Sequence, residues 1–208
     1  DESIAIKTDE LSNRGSKIDS NDKVKVEVYK SIDNNGGTIV AKNEVYFKIN
    51  NDYVYNEQSG YFEVRNKQDG LLTLDSIRSM TIDKVLETPV AIQIFATGSI
   101  TNNSGILSGN NILLKSDGDI NNSSSALIFS SKNIDIITHN GTFSNREKAN
   151  GMAMKDINIT ALNVRNIGGQ IRSENDINIE AKNLENITTI DEENSVWDYT
   201  NSQIINSQ

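Results

Sequence analysis

Few side chains in this 208-residue sequence are equipped for chemistry, and their spacing limits what that chemistry could be. His139 is the single histidine, set beside the turn pair Asn140-Gly141. With no second imidazole, no cysteine and no marked nucleophile beside it, His139 lacks the partners that a metal site or an acyl-transfer site requires. Asp135, Asp156 and Asp176 recur at comparable places along the chain. On one outer surface such carboxylates could hold Ca²⁺ or share the proton transfers of a carbohydrate-active enzyme, whereas a solvated face explains them without any reaction. Tyr53, Tyr55 and Tyr61 crowd a stretch where the pattern loosens. Exposed tyrosines supply contact area in recognition surfaces, so these three are the candidate partner-binding residues; packing against the body of the protein as an extra sheet is the structural alternative. The segment His139–Gly151 reads as a small protruding loop, and Trp197 and Tyr199 as either a partner anchor or a cap. No residue is assigned a catalytic, cofactor-binding or metal-binding role.

What must position these side chains is a repeat. Ile157-Asn158-Ile159-Thr160-Ala161-Leu162-Asn163-Val164-Arg165-Asn166-Ile167 returns as Ile177-Asn178-Ile179-Glu180-Ala181-Lys182-Asn183-Leu184-Glu185-Asn186-Ile187, with Gly168-Gly169-Gln170-Ile171-Arg172-Ser173 between the copies. The same opening recurs at Ile4, Val24, Val45, Leu72, Ile92, Ile112, Ile134 and, in degenerate form, at Trp197. Behind it run two further apolar columns, one of Ile100, Ile120, Phe143, Val164 and Leu184, the other of Ile106, Ile128, Met152 and Ile171. Corner asparagines make a column of their own at Asn102, Asn122, Asn145, Asn166 and Asn186. Residues 1–208 therefore form one repeat domain, regular over 1–49 and 90–190, irregular or inserted over 50–89, and ending in a degenerate coil over 191–208. The sharpest departure is Asn50–Gly70.

Each unit holds three short stretches that alternate apolar and polar residues, the period of a strand. None shows the i, i+3, i+4 spacing of a helix. A coil of roughly 20–23 residues with three such stretches closes as a triangle, and stacked coils form an all-β parallel β-helix of about ten turns. Asparagines at the corners are suited to left-handed backbone angles and to exchanging amide hydrogen bonds from coil to coil. Composition agrees: Pro occurs once and aromatics are 6% of the chain, and the abundance of Asn, Ile, Ser and Gly favours short strands and tight turns. The net charge of −9 and the lack of any Lys/Arg cluster argue against nucleic acid or an anionic membrane as partner. No apolar run has the length of a membrane span. Because the chain opens on Asp1 rather than Met, a fragment or mature segment of something longer is expected.

The phrases Asp176–Asn186 and Asn166-x-Gly168-Gly169-x-Ile171-x-Ser173 resemble the filamentous haemagglutinin repeat of bacterial two-partner-secreted exoproteins. That group spans large adhesins, haemolysins and the exoproteins of contact-dependent growth inhibition. The resemblance implies a right-handed β-helical rod, exported through an outer-membrane transporter partner and displayed on or released from the surface of a Gram-negative bacterium, where it meets a host-cell or bacterial-cell receptor. The absence of cysteine suits that route, since a periplasmic disulfide would obstruct threading of an unfolded chain. The Asn-Pro-Asn motif of that group's secretion domain does not occur here, because Pro89 follows Thr88. The expected role is a structural shaft, with a receptor-binding module built on Tyr53, Tyr55 and Tyr61 as the alternative and a β-helical carbohydrate-active enzyme as a third reading.

Overall fold

The structure is a computed structural model that describes residues 2–188 together with two short strands, Ser195–Asp198 and Gln203–Asn206. It is an all-β parallel β-solenoid of about nine turns with about 21 residues per turn. Each coil lays one strand on each of three faces. On the first face Val24, Val45, Leu72, Ile92, Ile112, Ile134, Ile157 and Ile177 form a single file. On the second, Ile100, Ile120, Phe143, Val164 and Leu184 do the same. Alternation is clear in strand Ala91–Ala96, where Ile92, Ile94 and Ala96 are buried while Ala91, Gln93 and Phe95 are half-exposed. A parallel ladder places each residue over its counterpart one strand spacing away, about 4.8 Å, so a repeat in the sequence becomes a column in space.

The asparagine column is an interior ladder. Asn102 Nδ2 donates to Asn122 Oδ1 at 2.9 Å, Asn122 to Asn145 at 2.8 Å, Asn145 to Asn166 at 2.8 Å and Asn166 to Asn186 at 2.8 Å. The same amides also donate across the corner to third-face carbonyls, Asn102 to Leu127 O and Asn122 to Asn150 O. A shorter ladder runs at the amino-terminal end, where Asn13 donates to Asn34 and Asn34 to Ser59 O. The ladder asparagines do not take left-handed angles. Positive φ falls instead on residues that follow them in the turn, Gly15, Gly36, Gly168 and the non-glycines Ser124, Ser125, Glu147 and Lys148, and on Gly60 directly after Ser59. The asparagine is held by its amide inside the prism, and the left-handed residues come two or three positions later.

Three expectations need correction. Of the two readings of 50–89, irregular or inserted, the stretch is irregular coil and not an insertion: Tyr53–Tyr55 pairs with Met80–Ile82 on the second face, while Tyr61–Val64 and Leu86–Thr88 lie on the third without pairing to each other. Coil three is long, with 27 residues from Val45 to Leu72 against 21 from Val24 to Val45, and most of the excess sits in the turn 65–70 rather than in an outgrowth. Second, Met152 is not in the interior column. Ile128 and Gly151 each lie six residues after their ladder asparagines, Asn122 and Asn145, and they pair, so Met152 points outward beside Phe129. A side chain at Gly151 would meet no atom within 4 Å; the column has a gap there. Third, Trp197 does not open another parallel coil, because Ser195–Asp198 pairs antiparallel with Gln203–Asn206 as a hairpin. Tyr199 lies outside the described residues.

The inside–outside assignment predicts a sharp contrast between neighbours. Ile100 is 1% exposed and Thr101 faces out. Ile100→Asp is expected to destabilise by about 4 kcal/mol or more, and Thr101→Asp by about 0.5 kcal/mol or less, read as denaturant midpoints; equal losses would contradict the assignment. Asn145→Ala strands its partners in the ladder and is expected to lose about 3 kcal/mol, whereas a loss under about 0.5 kcal/mol would show that the amides contribute little.

Candidate functional site

Coil three holds the densest group of aromatic side chains, and they face inward. Phe47 stacks against Tyr53 at 5.0 Å between ring centroids and against Phe62 at 5.4 Å, and Tyr55 lies 6.1 Å from Phe62. Tyr53 and Tyr55 are only 6% and 3% exposed. Alternation explains this: in the Tyr-Val-Tyr strand both rings fall on the core side and Val54 takes the surface. Of the three candidate partner-binding tyrosines only Tyr61 meets solvent, 61% exposed. Its ring lies under the Lys84 ammonium at 4.3 Å, which also hydrogen-bonds Gly60 O and sits 5.4 Å from the Tyr55 ring. The three tyrosines therefore do not form one recognition surface.

Four rings widen this coil relative to its aliphatic neighbours, and the ladders give way beside it. The second-face ladder stops between residues 31–33 and Tyr53–Tyr55, and the third-face ladder stops between Tyr61–Val64 and Leu86–Thr88. A groove of about 310 Å³ opens at the first break, lined by Lys30, Ile32, Asp52, Tyr53 and Gln58 among others. Burial sets the acidity of the phenols here. The Tyr55 hydroxyl is pushed up to about 12 by burial, and burial likewise raises Tyr53, partly offset by a hydrogen bond with Ser59.

The remaining candidates are structural in their contacts. Asp156 Oδ1 accepts from the backbone N–H of Asp176, and Asp156 N–H donates to Asn133 Oδ1, so these corner residues tie one coil to the next. Asp135 accepts from Asn158 Nδ2 at 2.8 Å. His139 is exposed on a bulge where Thr138 pairs with Ala161 and Thr142 with Asn163. The bulge lies within strand Ile134–Arg146, so the expected protruding loop over 139–151 is part of two strands and a turn. Among the described residues no group of three or more His, Cys, Asp or Glu converges.

The outer surfaces of the coils are not uniform. On the amino-terminal half of the first face, Lys7, Glu27, Lys48 and Asp75 stack in one outward file of alternating sign, with Glu27 3.9 Å from Lys7 and 3.8 Å from Lys48. Beside it the Tyr46 hydroxyl donates to Asp75 Oδ2 at 2.5 Å. The middle of the third face is apolar on its outer side. Leu107, Leu127 and Phe129, with Pro89, line a groove of about 660 Å³. This groove was missed in the sequence, although its signal was present: Leu107 directly follows the buried Ile106, and Leu127 and Phe129 flank the buried Ile128.

With the geometry in place, the comparisons are brief. No family model, no curated protein and no solved structure matches this chain. The solenoid is compatible with a repeat region of the filamentous haemagglutinin type.

The buried phenols make alkaline stability a test of coil three. A tyrosine whose folded pKa exceeds its ordinary value near 10 holds its proton longer when folded. Its contribution is therefore complete below pH 10 and is lost as pH rises from about 10 towards 12. Melting temperature followed from pH 9 to 12 should fall, and Tyr55→Phe should lessen the fall; identical curves for parent and variant would place Tyr55 in contact with water.

Proposed function

We propose that this chain is a shaft segment of a filamentous exoprotein, a rod that holds a distal binding or toxin element away from the cell that displays it. The observation that carries this reading is the continuous vertical register: coil after coil, interior positions are spent on stacking, and the acidic and histidine candidates serve the joints between coils or stand alone at the surface. At about 4.8 Å per coil, nine coils extend the chain by roughly 40 Å, which is what a spacer delivers. The repeat's resemblance to the filamentous haemagglutinin group supports a secreted or outer-membrane-associated location on a Gram-negative bacterium, export through an outer-membrane transporter, and a role in adhesion or growth inhibition. On this reading the segment itself performs no catalysis, binds no nucleic acid, and does not insert in the membrane.

A shaft tolerates shortening where a receptor site does not. Residues 112–133 form one whole coil, and its removal joins Asn111 to Ile134, leaving Ile94 to meet Ile136 and Asn102 to meet Asn145 in the same columns. The shortened protein is expected to fold, to scatter as a rod about 4.8 Å shorter, and to support undiminished attachment of the cells that display it. Loss of attachment by a shortened rod that still folds and reaches the surface would overturn the proposal in favour of a binding module.

A further inference from the structure

The apolar groove of the third face belongs to a longer pattern. One outward file crosses five strands in the order Glu87, Leu107, Phe129, Met152, Arg172. Its middle three members are large, apolar and half-buried, and its two ends carry opposite charge. Such a file is complementary to itself when reversed. We propose that this face joins two copies of the chain side by side and antiparallel, about a two-fold axis that passes through Phe129.

In that arrangement Phe129 meets Phe129, Leu107 of one copy meets Met152 of the other, and Glu87 meets Arg172 at both ends. This is an isologous contact, in which one patch serves both partners. A parallel pairing would set Glu87 against Glu87 and Arg172 against Arg172, so charge selects the antiparallel one. Arg172 lies 3.5 Å from Glu174 within its own chain, but both side chains are about half exposed (46% and 50%), and a pair of that kind contributes little. It does not prevent Arg172 from re-pairing. The neighbouring exposed residues Val85 and Met154 extend the apolar area at opposite edges of the sheet. Five strands of three or four residues cover a patch of about 19 Å by 13 Å, roughly 250 Å², well short of the area of about 800 Å² per partner found in stable interfaces. The contact is therefore weak and reversible, and it goes beyond the shaft reading without depending on it.

The chain has no cysteine, so single cysteines report the geometry directly. Sheets packed face to face lie about 10 Å apart, which sets the length of a suitable thiol-specific cross-linker. Phe129→Cys is expected to cross-link to itself. Glu87→Cys and Arg172→Cys are each expected to stay monomeric alone and to cross-link when mixed, with the product identified by chains of different length. Sedimentation across a range of concentrations should show reversible dimers, weakened roughly fivefold by Glu87→Arg or Arg172→Glu and restored by the two together. Phe129→Arg should abolish the dimer while leaving the melting temperature unchanged, because its side chain lies outside the core. Self-cross-linking of Glu87→Cys as efficient as that of Phe129→Cys would establish a parallel pairing, and a monomer at every concentration would remove the interface altogether; either result overturns the proposal.

Discussion

Pairing between successive coils governs everything else in this molecule. On the first face each interior strand hydrogen-bonds to the strands one coil before and one coil after it, and on the other two faces this fails only beside coil three, so a side chain stands directly above and below a fixed counterpart. Apolar residues gain from that constraint, since branched side chains nest on one another in the files of isoleucine and valine. Amides gain as well, because an asparagine offers a donor to one side and an acceptor to the other, and a column of them satisfies both. Charges suffer, since a like-charged column would repel at strand spacing. The outward order Lys7, Glu27, Lys48, Asp75 is the arrangement that turns the same constraint to advantage.

How much of this could be read from the chain depended on whether a residue's neighbours were its own repeats. The first-face opening, the second-face column and the asparagine ladder were legible because each is one class of side chain, apolar or amide, recurring in phase. Coil three was not, because Phe47, Tyr53, Tyr55 and Phe62 replace aliphatic residues with rings, and its turn 65–70 is longer than its counterparts. Aromatic residues in an irregular stretch look like a surface when they are the filling of a wider coil. Met152 was misplaced for a smaller reason. Its column contains a glycine, and a search for the next apolar residue steps past Gly151 by one, which in a strand exchanges inside for outside.

The candidate surfaces were legible to a lesser degree. A recognition patch drawn from Tyr53, Tyr55 and Tyr61 assumes that neighbours in sequence share a face, and the strand alternation separates them. The apolar groove of the third face has the opposite character. Leu107, Phe129 and Met152 come from three coils and are aligned only by the pairing of their strands, across turns of unequal length, so register had to be known before the patch could be seen. The left-handed residues Ser124, Ser125, Glu147 and Lys148 belong to the same lesson. Nothing in their side chains announces the conformation, and it is the anchored asparagine ahead of them that requires it.

The widened coil has a mechanical consequence. Coils two and three are joined by ladders on the first and third faces, coils three and four by ladders on the first and second, while the joints from coil four through coil eight keep all three. A rod pulled along its axis gives way where the fewest hydrogen bonds cross, and within the first eight coils that place is the aromatic coil, which has a two-ladder joint on each side.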